Sequence, residues 1–330
     1  MTIHGQENRL PDYRVAISKV DSISDRPFWS VVIPTFNCAR YLSESLGSVL
    51  IQGIDPKQME ILVVDDCSTR DNPDDVVARF GNGRVRFIRQ IQNVGKARNY
   101  GTGINAAQGR WIHILHGDDR VQDGFYKSME QVIAAHDQAA AVFCESRYID
   151  ADGDVHGRTG KERITTGLLN DWLERIVIQQ RIQTPSIVVR RDVYESLGGF
   201  DSRLQLTEDW EMWIRIATVY QFAFNTDAIA DYRTYAENSS AKAAITGGMA
   251  RDLRKLQEIV DSYLPEAVTK KCRSPRNVAM AYGLIHSMPS VIRQAGMTAW
   301  ARLCVEILSY SMHPRVVYYL LRFSLRSRIR

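Results

Sequence analysis

Polar residues that could do chemistry cluster in three short segments that lie far apart in the sequence. The segments are Pro34-Thr35-Phe36-Asn37, Asp65-Asp66-Cys67-Ser68-Thr69 and His116-Gly117-Asp118-Asp119. Each follows a run of apolar residues of the kind that forms a strand covered on both faces. Because ligands of open α/β sheets bind at the carboxyl ends of the strands, these segments predict one site along one edge of a sheet.

The two Asp-Asp pairs in these segments would crowd like charges at that edge. Such crowding is unfavourable unless a cation or hydrogen-bond donors compensate for it. Mg²⁺ and Mn²⁺ take carboxylate oxygens, and Mg²⁺ is commonly held by one or two carboxylates plus substrate phosphates. Asp118 and Asp119 therefore predict a divalent metal site. Capping of the following helix explains either pair alone equally well, but two pairs on one edge favour the metal.

The elements that must position these residues alternate between short apolar runs and helical patterns from Phe28 onward. This alternation predicts a doubly wound, mostly parallel α/β sheet flanked by helices. We predict strands over 30–34, 61–65, 85–88, 111–115, 141–144 and 187–189. We predict helices over 41–50, 74–80, 97–107, 125–135, about 168–180 and about 208–220, with a short helix ending at 198–199.

Three other stretches have a different character. Residues 1–27 are polar and predict a peripheral extension. Residues 150–167 are rich in Asp, Gly, Arg and Thr, which predicts a loop or an excursion from the sheet. After about Ala241 the pattern is helical only, which indicates a subdomain or an attachment device.

Composition excludes several classes of protein. The 330 residues are 45% hydrophobic and 24% charged, as in ordinary globular proteins, and a net charge of +4 gives no field that favours nucleic acid. The absence of a signal-peptide pattern and of any run of 18 apolar residues predicts a cytoplasmic protein without a membrane span. Five cysteines without a C-x-x-C pair favour reduced thiols.

One segment matches the pattern of a dinucleotide-binding fingerprint but lies in the wrong place for it. Gly101-Thr102-Gly103-Ile104-Asn105-Ala106 fits G-x-G-x-x-A. The fingerprint must directly follow the first strand and open a helix, whereas these glycines lie within a helical stretch after the third strand. The sequence therefore argues against a Rossmann-type oxidoreductase.

Taken in order and with their spacing, six segments resemble the motifs of the family 2 glycosyltransferases. That family consists of inverting enzymes of the GT-A fold that use nucleotide-sugar donors. The segments, which fall between about Phe28 and Ser240, are Ser30 to Asn37, Glu60 to Thr69, Asn93 to Gly101, Leu115 to Asp119, Leu197 to Asp201 and Thr207 to Trp213. Each motif alone is weak, but the ordered series is specific.

The resemblance implies a nucleotide-binding role for one set of residues. It places Pro34, Thr35 and Phe36 in the nucleoside pocket, and Asp66 as the acceptor of a hydrogen bond from the base, typically uracil. An apolar or aromatic wall with a few fixed polar partners suits a flat base. The resemblance also places Arg98 and Gly117 near the nucleotide. A surface arginine is an equally good interpretation of Arg98.

The resemblance further implies the catalytic parts. Asp118, with Asp119, would hold Mg²⁺ or Mn²⁺ against the donor diphosphate. Asp209 would be the base that deprotonates the acceptor hydroxyl as it attacks the anomeric carbon, so that the configuration inverts. Without the resemblance, Glu208-Asp209 would be explained as an acidic pair at a helix start. Trp210 and Trp213 lie at helical spacing and are expected to pack in the core.

The sequence departs from the family pattern at two positions. His116 stands where many members have the first aspartate of D-x-D-D, and Tyr235 stands where many have a histidine after Y-R-x. Fewer protein ligands predict weak metal binding unless the diphosphate completes the coordination shell. His116 could coordinate, orient a phosphate or be inert, and we favour a supporting polar role.

The C-terminal region carries a local basic pattern. Arg322, Arg326 and Arg330 repeat every fourth residue beside apolar residues, and no acidic residue follows His313. This pattern suits a helix lying on an anionic membrane surface. A helix docked on its own domain with solvated arginines explains it equally well.

The sequence as a whole predicts an inverting glycosyltransferase. Its domains would be an extension over 1–27, a GT-A domain over 28–240 and a helical region over 241–330. Within the GT-A domain, about 28–120 would bind the nucleotide sugar and about 121–240 the acceptor. The donor would be a UDP-sugar, and the acceptor a hydroxyl of a glycan or lipid-linked molecule in envelope polysaccharide or glycoconjugate synthesis. The alternative is a catalytically silent member that binds nucleotide or acts as a partner protein in an assembly complex.

Overall fold

A computed structural model describes residues 13–20, 25–235, 243 and 246–326 of the chain. Within these residues, ten strands form one sheet. The strands are β1 Trp29–Thr35, β2 Met59–Asp65, β3 Val85–Arg89, β4 Trp111–Ile114, β5 Arg120–Val121, β6 Ala139–Ile149, β7 Val155–Arg158, β8 Gly167–Leu169, β9 Ile187–Arg190 and β10 Gln221–Arg233.

The sheet is mixed, but its long strands run in one direction. The strand order is β3-β2-β1-β4-β9-β6-β10-β5, with β7 on β6 and β8 on β10. Strands β1 to β4 pair in parallel, as do β6 and β10. Strand β9 lies antiparallel between β4 and β6, so these two also share one direction. The carboxyl ends of β1, β2 and β4 therefore meet at one edge, as predicted.

Helices cover both faces of the sheet. They are α1 Ala39–Leu50, α2 Pro73–Phe80, α3 Lys96–Ala106, α4 Phe125–Ala135, α5 Trp172–Ile178, α6 Arg191–Leu197, α7 Glu208–Ala217, α8 Gly248–Asp261, α9 Glu266–Tyr310 and α10 Pro314–Arg326. A short 3-10 turn spans Thr184–Ser186. Helix α9 is interrupted at Gly296, whose φ of 75° does not fit an α-helix.

The structure corrects three parts of the sequence prediction. Residues 155–158, in the stretch predicted as a loop or an excursion from the sheet, form β7 and pair antiparallel with β6, so the chain stays in the sheet there. The helix predicted over about 168–180 begins only at Trp172, because Leu168 and Leu169 extend the sheet by pairing with β10. The long strand β10 was not predicted at all. Its buried polar residues break the apolar pattern of a covered strand, and their partners come from distant elements: Asp231 accepts from Arg120 and Arg147.

The glycines of the false dinucleotide fingerprint serve packing. They lie within α3, where an added Cβ at Gly103 would come within 2.3 Å of Val32 of β1. An added Cβ at Gly101 would come equally close to Val15. Glycine is thus required for the close approach of α3 to the sheet and to the N-terminal segment.

Segments on either side of the predicted domain pack against it. In the N-terminal segment, Ile17 is buried in the core and the carbonyl of Val15 accepts a hydrogen bond from the Gly199 amide at 2.7 Å. The C-terminal helices share the same core cluster, in which Leu256 and Ile285 are buried with residues of α5 and α7. The described part of the region after 241 is helical, as predicted, and the predicted boundary at Ser240 falls outside the described residues.

Candidate functional site

A cavity of about 700 Å³ opens at the carboxyl ends of β1, β2 and β4. Five of the residues singled out from the sequence line it: Pro34, Thr35, Phe36, Asp66 and Asp118. The ring of Phe36 is 46% exposed, which leaves an aromatic face available at the cavity wall. We refer to this space as the donor cavity.

Cross-links between two loops hold the donor cavity in shape. The backbone of Asn37 is left-handed, with a φ of 54°, and its side-chain carbonyl accepts hydrogen bonds from the amides of Thr69 and Arg70 at 2.9 Å. The amide of Asn37 donates to the Ser68 hydroxyl at 2.8 Å. The loops after β1 and β2 therefore form one unit.

The adjacent aspartates after β2 have different tasks. Asp65 is buried, accepts from the Ser68 amide and pairs with Arg89 at 3.1 Å, so it stabilises the turn. Asp66 faces the donor cavity, where its two carboxylate oxygens accept from the amides of Val94 and Gly95 at 2.7 and 3.0 Å. Burial raises the pKa of Asp66, and the two amides oppose that rise. Remaining lone pairs leave Asp66 able to accept a further hydrogen bond.

An acidic cluster follows β4. One ligand atom each from His116, Asp118 and Asp119 lies within 4.8 Å of the others. His116 Nδ1 is 3.1 Å from Asp119, and His116 Nε2 is 2.7 Å from the Tyr100 hydroxyl. Burial alone would lower the pKa of His116, but its hydrogen bond to Asp119 and the nearby carboxylate charges raise it overall.

Strand β10 fixes this cluster from the other side. Burial raises the pKa of Asp119 to about 6, and the Arg233 amide donates to its Oδ1 at 2.8 Å. The Arg233 guanidinium donates to the Asp118 carbonyl at 2.8 Å. The Tyr235 hydroxyl donates to Asp118 Oδ2 at 2.8 Å. The two oxygens of Asp119 are thus engaged with the protein, whereas Asp118 lies at the donor cavity.

Three residues predicted to bind nucleotide or metal are not among those that line the donor cavity: Arg98, Gly117 and the buried Asp119. Arg98 is exposed on α3, which favours the surface interpretation of this residue. Gly117 lies in the loop itself, where its amide donates to the Pro34 carbonyl at 3.0 Å. An added Cβ at Gly117 would lie 3.2 Å from Thr35 and Cys38, so the glycine allows the β1 and β4 loops to approach.

Asp209 lies in the first turn of α7 and faces a second cavity, of about 770 Å³. Its Oδ2 accepts from Gln180 Nε2 at 2.9 Å and from the Thr184 hydroxyl at 3.3 Å. Burial raises the pKa of Asp209 to about 6, the charge of Glu208 adds to the rise, and Lys96 opposes it. Tyr232 lines both cavities, so the two spaces adjoin at this side chain.

Sequence reasoning missed Lys96. This residue begins α3, lines the donor cavity and forms an ion pair with Glu208 Oε1 at 2.6 Å. Lys96 therefore links the nucleotide side of the site to the segment that carries Asp209. The signal that could have found it is its place inside the Asn93 to Gly101 motif.

The two tryptophans of α7 pack as predicted. Trp213 is 1% exposed, and Trp210 is 5% exposed with its indole N–H donating to the Ile176 carbonyl at 2.6 Å. Both belong to the main core cluster. Their burial fixes α7, and with it Asp209, against α5.

Comparison with known families confirms the resemblance. The family model described as glycosyl transferase family 2 matches residues 30–213, which include every motif of the ordered series. The chain belongs to this family. It is 24% identical over 249 residues to an uncharacterised glycosyltransferase of Rickettsia typhi, which covers 71% of this chain and 75% of that protein. It is 23% identical over 239 residues to a hyaluronan synthase of Pasteurella multocida, covering 70% of this chain and 23% of that one.

Solved structures confirm the GT-A fold. S. aureus TarS 1-349 in complex with UDP-GlcNAc matches with a TM-score of 0.59 at 17% identity, over 88% of this chain and 83% of that one. The mannosyltransferase PcManGT from Pyrobaculum calidifontis, in complex with GDP-Man and Mn²⁺, matches with a TM-score of 0.58 at 17% identity, over 91% and 87% of the two chains. Family and fold together make the chain a glycosyltransferase.

Proposed function

We propose that the chain is an inverting transferase that moves one sugar from a UDP-sugar to a hydroxyl group. The acceptor would be a glycan or a lipid-linked molecule in envelope polysaccharide or glycoconjugate synthesis. One observation carries the proposal: the donor cavity, with Asp118, and the second cavity, with Asp209, meet at Tyr232. A donor in one cavity and an acceptor in the other would therefore lie next to each other at this side chain.

The donor cavity has the chemistry that a nucleoside diphosphate requires. Phe36 and Pro34 offer apolar surface for a base, and Asp66 can accept a hydrogen bond from a ring N–H. A uracil has such a donor at its N3 position, which supports UDP. TarS binds UDP-GlcNAc and PcManGT binds GDP-Man, so both uridine and guanosine donors occur on this fold.

The acidic cluster fits a hard divalent cation. Asp118 supplies a carboxylate at the donor cavity, while Asp119 and His116 stand within ligand distance of one another. Mg²⁺ or Mn²⁺ held by Asp118, with Asp119 and His116 in support, would offset the charge of the donor diphosphate. The small number of free protein ligands suits a site that the diphosphate completes.

Asp209 supplies the base. With a pKa of about 6 it is ionised at neutral pH, yet it is basic enough to take a proton from a hydroxyl as that oxygen becomes nucleophilic. Gln180 and Thr184 hold the carboxylate in place. As the new C–O bond forms at the anomeric carbon, the bond to the nucleoside diphosphate breaks on the opposite face. The proton stays on Asp209, and the configuration inverts.

Thermal-shift measurements with UDP, GDP, TDP and CMP, each with and without Mn²⁺, test the donor assignment. A ligand at about a hundred times its Kd adds about 2.7 kcal/mol of stability. We expect a shift with UDP that grows with Mn²⁺ and loses that growth in Asp118→Ala. Asp123→Ala, which changes an exposed aspartate five residues later in the sequence, should behave as wild type.

One further assay distinguishes an active transferase from the catalytically silent alternative. With water or a soluble alkyl glucoside present to receive the sugar, Asp209→Asn should abolish UDP release from the UDP-sugar while leaving the UDP-induced thermal shift unchanged. A fully active Asp209→Asn would remove Asp209 as the base. UDP binding without any UDP release by the wild type would favour the silent, partner-binding alternative.

We also propose that the protein lies at the inner face of the cell membrane through its C-terminal helices. Within the described residues, no helix combines the length and apolarity needed to cross a bilayer. Helix α10 buries Val316 and Leu320 against the protein, but Tyr318 and Leu321 are 57% and 58% exposed. Arg322 is also exposed, whereas Arg328, Arg330 and the side chain of Arg326 lie outside the described residues.

Flotation with anionic liposomes tests this association. We expect wild type to float and Arg322→Glu combined with Leu321→Gln to remain in the pellet fraction. Lys270→Glu, a charge reversal at an exposed position of α9, is the matched control and should float. Equal flotation of all three proteins would remove α10 as the membrane contact.

A further inference from the structure

The C-terminal helices build most of the wall of the second cavity. Met249 and Leu253 come from α8, and Val278 and Tyr282 come from α9. These side chains are apolar or mostly apolar, and they face a space of about 770 Å³, which is large enough for a drug-sized ligand. The region beyond the family match therefore contributes to the space in front of Asp209.

The family-matched part of the chain contributes polar groups to the lining of this cavity. Asp209 lies there beside Gln180, which donates from Nε2 both to Asp209 and to the Ile182 carbonyl. Gln179, Gln183 and Thr207 add further polar groups to the lining on this side, which suits a ligand that carries hydroxyl groups.

We propose that this cavity binds an acceptor that joins a hydroxyl-bearing sugar to an apolar chain. The sugar would meet Asp209 and Gln180, and the apolar chain would lie along α8 and α9. The inference rests on the proposed function, because it takes Asp209 as the base and the cavity as the acceptor side. It assigns to the C-terminal helices a part in acceptor recognition.

Three observations favour an acceptor with an apolar chain over a purely polar acceptor. The lining combines Asp209 and three glutamines from the family-matched part of the chain with mostly apolar side chains from α8 and α9, which suits an amphipathic molecule. It meets the donor cavity at Tyr232, so an occupant would lie next to the donor. Its lining also includes His313 and Arg315, and the neighbouring residue Met312 and Leu321 of α10 are exposed apolar side chains. An apolar chain could therefore enter from a lipid surface.

Gly283 provides a precise way to fill the cavity. It lies on α9 and lines the cavity, and an added Cβ there would meet no atom within 4 Å. Phenylalanine at this position enters open space, and replacing a helical glycine favours the helix. Gly47 on α1 is the matched control, since it is helical and exposed and its Cβ would also meet no atom within 4 Å. Gly283→Leu is a smaller second variant.

The assay is calorimetric binding of decyl β-D-glucoside and methyl β-D-glucoside to the full chain, with UDP and Mn²⁺ saturating and the alkyl glucoside below its micelle concentration. Each buried methylene adds about fourfold in affinity. We expect the decyl compound to bind wild type at least about a hundredfold more tightly than the methyl compound. Gly283→Phe should weaken decyl glucoside binding at least about tenfold, with a smaller loss in Gly283→Leu and none in Gly47→Phe.

Equal affinity of wild type for the two glucosides would overturn the inference, as would unchanged decyl glucoside binding in Gly283→Phe. UDP affinity, measured in every variant, separates this result from the proposed function. Retained UDP binding with no chain-length effect refutes the apolar acceptor wall alone. If the wild-type protein did not bind UDP, the proposal that a UDP-sugar is the donor would be refuted instead.

Discussion

The raised pKa of Asp209 predicts an unusual dependence of turnover on pH. A base with a pKa of about 6 is ionised in about one molecule in eleven at about pH 5, and in about ten of eleven at about pH 7. Since only the ionised form accepts the proton, kcat should fall about tenfold between these two values. An ordinary aspartate with a pKa of about 3.9 would lose less than about a tenth of its activity.

The variant Glu208→Gln tests whether Asp209 causes this fall of kcat at acidic pH. Burial is the largest cause of the raised pKa of Asp209, and the charge of Glu208 is the next. Removing that charge also releases Lys96 from its ion pair and leaves its positive charge to stabilise ionised Asp209. We therefore expect the acidic limb of kcat to move to lower pH. Glu258→Gln, an exposed position on α8, should leave it unchanged.

The assay is UDP release at saturating UDP-sugar, with UDP affinity measured over the same pH range. The second measurement is needed because burial also raises the pKa of Asp119 to about 6. If UDP affinity also changes at acidic pH, we assign the change to the acidic cluster. If only kcat falls at acidic pH, we assign the fall to Asp209. The reasoning would be refuted by a kcat that does not change between about pH 5 and about pH 7. It would also be refuted if kcat of Glu208→Gln fell at the same pH as kcat of the wild type.

Three further predictions concern single residues. Tyr235→Phe removes the hydrogen bond to Asp118 and should weaken Mn²⁺ binding in the presence of UDP about tenfold, measured by electron paramagnetic resonance; unchanged affinity would show that Tyr235 does not support the metal site. Arg98→Ala should leave UDP affinity within about a factor of two by calorimetry, because its side chain is exposed outside the donor cavity; a large loss would restore its predicted role. Gly103→Ala should destabilise the protein by about 1 to 3 kcal/mol in urea unfolding, since its Cβ would overlap Val32; no change would mean that α3 can move away from the sheet.

The first half of the site could be predicted because its signals are local. The mostly apolar runs that form β1, β2 and β4 can be recognised in the sequence, and parallel strands bring their carboxyl ends to one edge. Thr35, Asp66 and Asp118 therefore meet in the donor cavity although they are distant in sequence. The order of the motifs was enough to predict the family and the GT-A fold.

The second half depends on strand β10, which the apolar pattern does not reveal. Asp231 would be an unfavourable residue inside a strand without Arg120 and Arg147, which lie 111 and 84 residues away in the sequence. Once β10 is in place, Arg233 holds the backbone of the loop after β4 and its amide fixes Asp119. The environment of the acidic cluster is thus a property of the fold.

The sequence by itself determined the sheet edge, the segments that line the donor cavity and the position of Asp209 at a helix start, because each depends on short stretches of chain with their own periodicity. Only the tertiary structure decided that Arg98 lies outside the donor cavity and that Lys96 lies within it. It also decided that α8 and α9 line the cavity that Asp209 faces. Packing between distant segments leaves no periodic signal along the chain, so these facts appear only when the surfaces meet.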